Sequence, residues 1–146
     1  MYTNAKISEQ LAVLAIINPV SQAAGTVTTG WVNTGNSERI LALVQTGVLG
    51  TSATVDAKIQ QASDASGTGA KDVTGKAITQ IVKATGDNRS AMINLRPEEL
   101  DTNNGYEYIR VSLTVGTAAS QVGLNLLGAV AKDAPVSQSL VAEIVG

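Results

Sequence analysis

Period-two alternation of apolar and polar residues recurs along this chain, and it predicts β-strands with one buried and one wet face. Val55, Ala57 and Ile59 alternate with Asp56, Lys58 and Gln60; Ile109, Val111, Leu113 and Val115 alternate with Tyr108, Arg110, Ser112 and Thr114. Ala91, Ile93 and Leu95 repeat the pattern, as do Val27, Thr29 and Trp31, and Val122, Leu124 and Leu126, after which Leu127-Gly128 breaks phase as a bulge would. Leu140 to Val145 fits either a closing strand or one helical turn, and the strand is the preferred reading. Turn-forming residues separate these runs at Thr34–Asn36, Gly50–Ser52, Gly67–Gly69, Gly86–Asn88, Asn104–Gly105 and Gly116–Ala118. Short strands at such spacing predict a sandwich or barrel.

One helical start stands out. In Arg96-Pro97-Glu98-Glu99-Leu100 a proline at the first helical position is followed by two acids that suit the positive end of a helix dipole. It predicts a single turn crossing between sheets. Ala62 to Gly75, small and polar, is the longest predicted loop. A domain boundary there would leave two halves of about 70 residues, each short of a core, so residues 1–146 are read as one domain. The segments around Leu49-Gly50-Thr51-Ser52-Ala53 and Val115-Gly116-Thr117-Ala118-Ala119 echo one another. They read either as two hairpins with similar turns or as two related Greek-key halves. Leu100 to Tyr108 has the character of a Greek-key corner, with Pro97, Asp101 and Tyr106 as its structural residues and the Tyr106 hydroxyl bonding to upstream backbone. The alternative is a pair of tyrosines flanking a hairpin turn.

Two runs depart from alternation. Leu11-Ala12-Val13-Leu14-Ala15-Ile16-Ile17 and Ile40-Leu41-Ala42-Leu43-Val44 are apolar on both strand faces. The outer face of a sandwich strand normally meets water, so these strands need a cover: a central position in the monomer, or a partner. Leu11, Val13, Leu14, Ile16, Ile17, Ile40, Leu41, Leu43 and Val44 are therefore the candidate subunit or partner interface. Leu11–Ile17 is much shorter than the roughly 20 residues that span a bilayer. It matches a secretory signal only faintly, with Glu9 beside it arguing against one.

Composition narrows the chemistry. Of 146 residues 44% are hydrophobic but only 3% aromatic, with no Phe, so Val, Ile, Leu and Ala must build the core. The absence of His and Cys excludes disulfides, Cys/His zinc sites, thiol nucleophiles and the usual neutral-pH base. A net charge of −2 with no basic block speaks against nucleic acid as a direct ligand. Gly69 to Ala77 imitates a phosphate-binding loop, but it has five residues between the glycines and Ala77 at the magnesium-binding position. Asp101-Thr102-Asn103-Asn104-Gly105 imitates a calcium loop with its glycine one place early and Ser112 where a bidentate Glu belongs. Glu98 and Glu99 are neighbours explained by the helix dipole. The expectation is a protein that is not an enzyme and needs neither cofactor nor metal.

Asn18-Pro19-Val20-Ser21-Gln22-Ala23-Ala24-Gly25-Thr26, Gly30-Trp31-Val32, the stretch Ala53 to Gly69, and Ile93-Asn94-Leu95-Arg96-Pro97-Glu98-Glu99-Leu100-Asp101 together resemble small virion proteins of tailed bacteriophages. These are head decoration, or cement, proteins, and the likeness runs from about residue 10 to the C-terminus. The resemblance implies a jelly-roll-like antiparallel β-sandwich on the outer capsid surface of the virion, assembled in the host cytoplasm. It implies the major capsid protein and further copies of the chain (a homo-dimer or homo-trimer) as partners, and no nucleic acid or membrane. A tail-tube, neck or fibre component, or a carbohydrate-binding or adhesion module, is the alternative.

Overall fold

A computed structural model describes residues 4–146. The chain is all-β, a jelly-roll-type sandwich of two antiparallel sheets. Ten strands follow in order: β1 (Ala12–Gln22), β2 (Gly25–Thr28), β3 (Val32–Asn33), β4 (Ser37–Thr46), β5 (Thr54–Ala62), β6 (Lys71–Ala77), β7 (Ile81–Val82), β8 (Ser90–Leu95), β9 (Tyr108–Gly116) and β10 (Ser120–Ala131). The four-stranded sheet has the order β1-β10-β4-β8; the six-stranded sheet has the path β2-β9-β5-β6, with β3 beside β9 and β7 beside β5. Alternation decides which residues meet between them. Ile40, Ala42 and Val44 of β4, Ile93 and Leu95 of β8, and Leu124 and Leu126 of β10 pack against Val55, Ala57 and Ile59 of β5 and Ile109 to Val115 of β9.

Several sequence expectations need correction. The chain makes four short helical turns among the described residues rather than one: α1 (Ile7–Gln10), α2 (Lys83–Gly86), and 3-10 turns at Pro97–Glu99 and Thr102–Asn104. The expected turn at Pro97 does carry the chain from β8 in one sheet to β9 in the other. The loop over 62–75 is shorter than expected, because β6 begins at Lys71, where Lys71 and Asp72 pair with Gln61 and Gln60 of β5. The strand through Val27, Thr29 and Trp31 breaks after Thr28. Thr29 turns its hydroxyl to accept the Val111 N–H, and the Trp31 ring lies 4.6 Å from the Arg110 guanidinium. Leu127-Gly128 is no bulge, since β10 keeps one register against β4 from Val122 to Ala131. The irregularities lie in the partner strand β1, between Val13 and Ala15 and between Ile17 and Val20.

The C-terminal segment forms no strand. Residues 139–146 are turn and irregular backbone with Leu140, Ile144 and Val145 exposed. Just before them, Gln138 ties down the entry to β1: its amide donates to the Ser8 and Leu11 carbonyls (2.8 and 2.6 Å) and its oxygen accepts the Val13 N–H at 3.3 Å. One side chain thus satisfies groups that would otherwise template edge pairing.

The echoed segments are not hairpins. The first joins β4 to β5 and the second joins β9 to β10, so both cross between sheets. They lie against each other at one end of the sandwich, where Gly50 N–H donates to Ser120 Oγ and Gln121 N–H to the Val48 carbonyl, both at 3.1 Å. Only glycine fits at position 50, because a Cβ there would stand 2.5 Å from the Ala119 carbonyl oxygen.

Candidate docking face

Strand pairing sets the outer face of the four-stranded sheet in rows. One row runs Val13–Leu127–Leu41–Asn94 across β1, β10, β4 and β8; the next runs Ile16–Asn125–Leu43–Met92. Six of these eight residues are apolar. Val13, Leu41, Leu43 and Leu127 are half-buried, while Ile16 and Met92 are 38% and 62% exposed. The rows continue to Ala129 and Arg39 at one end and to Gly123, Gln45 and Ser90 at the other.

The predicted interface residues divide by strand phase. Val13, Ile16, Leu41 and Leu43 lie on this outer face. Ile17, Ile40 and Val44 do not: they are 7%, 2% and 0% exposed and belong to the core, because alternate residues of a strand point to opposite sides. Leu14 sits in the β1 irregularity, half-buried against the core. Leu11 precedes the strand and is tied into the chain by its own N–H, which donates to the Ile7 carbonyl. Sequence reasoning missed Leu127 and Met92. The adjacent pair Leu126-Leu127 carried the signal, since one member of such a pair must face outward.

The two ends of the face are grooves. At one end a groove of about 620 Å³ is lined by Pro19, Gln45, Asn88, Arg89, Ser90 and Gln121 among others, and Gly123 floors it because a side chain there would press on Pro19 at 3.1 Å. At the other a groove of about 590 Å³ holds Arg39, Asn94, Arg96, Lys76 and Glu99. Glu99 accepts the Arg96 backbone N–H at 2.8 Å and pairs with Lys76 at 3.0 Å. Those contacts, in that order, hold its carboxyl below the ordinary value.

The six-stranded sheet presents the opposite character. Its outer residues are joined to one another: Lys58 and Gln60 both reach Asp72 at 2.9 Å, Arg110 donates to Gln60 at 2.9 Å, Gln80 to Asp56 at 2.8 Å, and Thr26 meets Thr114 at 2.8 Å. At its end the corner residues form a cross-link. The Tyr106 hydroxyl donates to the Gly69 carbonyl at 2.9 Å, Lys71 stands 4.4 Å from the Tyr106 ring and 2.6 Å from Asp101, and the Tyr106 N–H donates to the Asp101 carbonyl. The bond runs to the β5–β6 loop, 37 residues away, rather than to nearby backbone of the corner. Pro97 opens the preceding turn, its carbonyl accepting the Leu100 N–H at 3.2 Å. No group of three or more acidic residues placed to hold a metal ion occurs among the described residues.

These contacts fix the pH response. Lys58 lowers Asp72, Lys83 lowers Asp87, Lys71 lowers Asp101, and the Thr68 hydrogen bonds lower Asp64. A carboxyl depressed in the fold contributes stability above its ordinary value, 3.8 for Asp and 4.5 for Glu, and that contribution is lost as pH falls through the lower folded value. Lys71, raised by Asp101, loses its share only as pH climbs above 10.5. With no histidine, the thermal midpoint should be flat from about pH 5 to about pH 9 and fall below about pH 4. A step between pH 6 and 7 in a melting series would contradict this.

No known family profile matches the sequence. No curated protein matches it. Among solved structures, a chain of broad bean stain virus is 9% identical over 98% of each chain, with a TM-score of 0.50. A CBM4 domain is 14% identical over 79% of this chain and 68% of that one, at 0.45. The CBM22-1 and GH10 modules of a Clostridium thermocellum xylanase, complexed with xylohexaose, are 8% identical over 80% of this chain and 26% of that one, at 0.45. The likeness is one of fold. Fold alone assigns no activity.

Proposed function

We propose that this chain is a structural protein of a phage virion that binds the outside of an assembled capsid shell and reinforces it, with the outer face of the four-stranded sheet as its docking surface. The observation that supports this most is the pair of apolar rows, Val13–Leu127–Leu41 and Ile16–Leu43–Met92, on a sheet face that would ordinarily carry polar residues. The other outer face, with its polar groups joined to one another, offers no such driving force. A sugar-binding role would favour an aromatic platform. Among the described residues neither end groove has an aromatic lining residue, and Trp31 is engaged with Arg110 on the opposite sheet. The reading is of a binding protein whose product is an interface, without catalysis, acting by adding its binding free energy to the shell.

The test is co-sedimentation with capsid shells stripped of the protein and, in parallel, with unassembled capsid subunits. Saturable binding to shells, with release of DNA on heating delayed when the protein is restored, is the expected result. Equal binding to free subunits, or unchanged heat resistance of the refilled shells, would contradict it.

A further inference from the structure

We infer that the partner surface received by the four-stranded sheet is apolar at its centre and acidic at its rim, and that it belongs to a different protein rather than to a second copy of this chain. The inference rests on the docking reading and specifies the chemistry of the partner. Three arginines flank the apolar rows. Arg39 of β4 and Arg96, just past β8, adjoin the last β4–β8 pair, Ile40 and Leu95, and both line the groove at one end. Arg89 lines the groove at the other. Like charges gathered at one groove repel each other. Here they sit where an incoming anion would relieve them.

The strand positions of the face carry no carboxylate, and the groove holding Arg39 and Arg96 has one, Glu99, against three cations. The strand positions of this outer face, from Arg39 to Gln45, Ser90 to Asn94 and Gln121 to Ala129, are apolar, amide, hydroxyl or glycine apart from Arg39 itself. The chain nonetheless has twelve acidic residues against ten basic ones. Glu99, on the flanking turn, is held by Lys76 and the Arg96 N–H. None of the four ion pairs among the described residues uses an arginine. Arg39 instead donates to the Glu38 carbonyl at 2.7 Å. A second copy docking by the same face would bring three more arginines and no strand carboxylate, leaving cations uncompensated as water is expelled. A nucleic acid could meet the arginines but not the six apolar side chains between them. An apolar patch rimmed by Asp and Glu meets both.

The experiment compares the wild type with Arg39→Glu, Arg96→Glu and the charge-matched Lys58→Glu, which alters the other sheet's exposed ion pair. Each variant is first checked for folding by circular dichroism. Binding to stripped capsid shells is then measured at low and high salt, and hexaglutamate is titrated into each protein while its amide NMR signals are followed. The two arginine variants should bind shells about tenfold more weakly than wild type at low salt, with the gap closing at high salt, while Lys58→Glu binds as wild type. Hexaglutamate should shift signals around Arg39 and Arg96. The inference is overturned if both arginine variants bind as tightly as Lys58→Glu, or if hexaglutamate shifts map to other surfaces. It is also overturned if the free protein forms a dimer that Leu43→Lys dissociates, or if a DNA duplex displaces it from shells. Should the wild type fail to bind shells at all, the docking reading fails. The hexaglutamate map then still decides the charge assignment, upheld by shifts at Arg39 and Arg96 and overturned by shifts elsewhere.

Discussion

Val44→Lys should unfold the protein, whereas Leu43→Lys, one residue earlier on the same strand, should leave it folded. Val44 is 0% exposed and packs between the sheets among apolar side chains, where an ammonium is cut off from solvent. Burying an unpaired charge there costs more than about 4 kcal/mol, a large part of the roughly 5–15 kcal/mol that holds a domain of this kind together. Leu43 faces outward beside Asn125 and Met92. Its lysine replacement can lay its methylene stem along the same surface and keep its charge in water, at a cost of about 1 kcal/mol or less. Chemical denaturation of the two purified variants measures both; two unfolded variants would mean that both sides of β4 are interior.

Leu43→Lys should nevertheless abolish most of the binding to capsid shells. In the bound state its ammonium would be trapped in an apolar contact whose rim already carries the Arg39, Arg89 and Arg96 cations. A loss of about 3 kcal/mol at a central contact residue corresponds to roughly 100-fold in Kd. Titration of labelled protein onto shells reads this directly, and an unchanged Kd would remove the four-stranded sheet from the interface.

The fold was largely legible because alternation is a local signal that burial enforces. Val55 to Ile59, Ala91 to Leu95 and Ile109 to Val115 each read as one-sided strands and each packs one side inward. Where the strand is apolar on both sides, sequence cannot assign the inner face. In sequence Ile17, Ile40 and Val44 are indistinguishable from Val13, Ile16, Leu41 and Leu43 for that reason, and only the register separates them. On β1 the irregularity at Leu14 cancels the rule that neighbours face opposite ways, leaving both Val13 and Leu14 half-buried. Leu127 was hidden by the same ambiguity, its outward turn resembling a bulge. The C-terminal apolar residues misled in the other direction: Leu140, Ile144 and Val145 look strand-forming, yet the segment is turn and irregular backbone, and it is the side chain of Gln138 that bonds the start of β1. The arginine grooves are invisible in the sequence because Arg39 lies far from Arg96 and only the β4–β8 pairing brings the two to one groove, while Arg89, at the other end of β8, falls to the opposite groove.

The most direct measurement is cryo-electron microscopy of capsid shells saturated with the protein, at a resolution that distinguishes its two sheets. The account predicts that β1, β10, β4 and β8 lie against the shell, with Leu41, Leu43, Leu127 and Met92 in the contact and acidic residues of the shell beside Arg39 and Arg96. A sandwich turned over, with β5 and β9 against the shell and the apolar rows facing solvent, would contradict it.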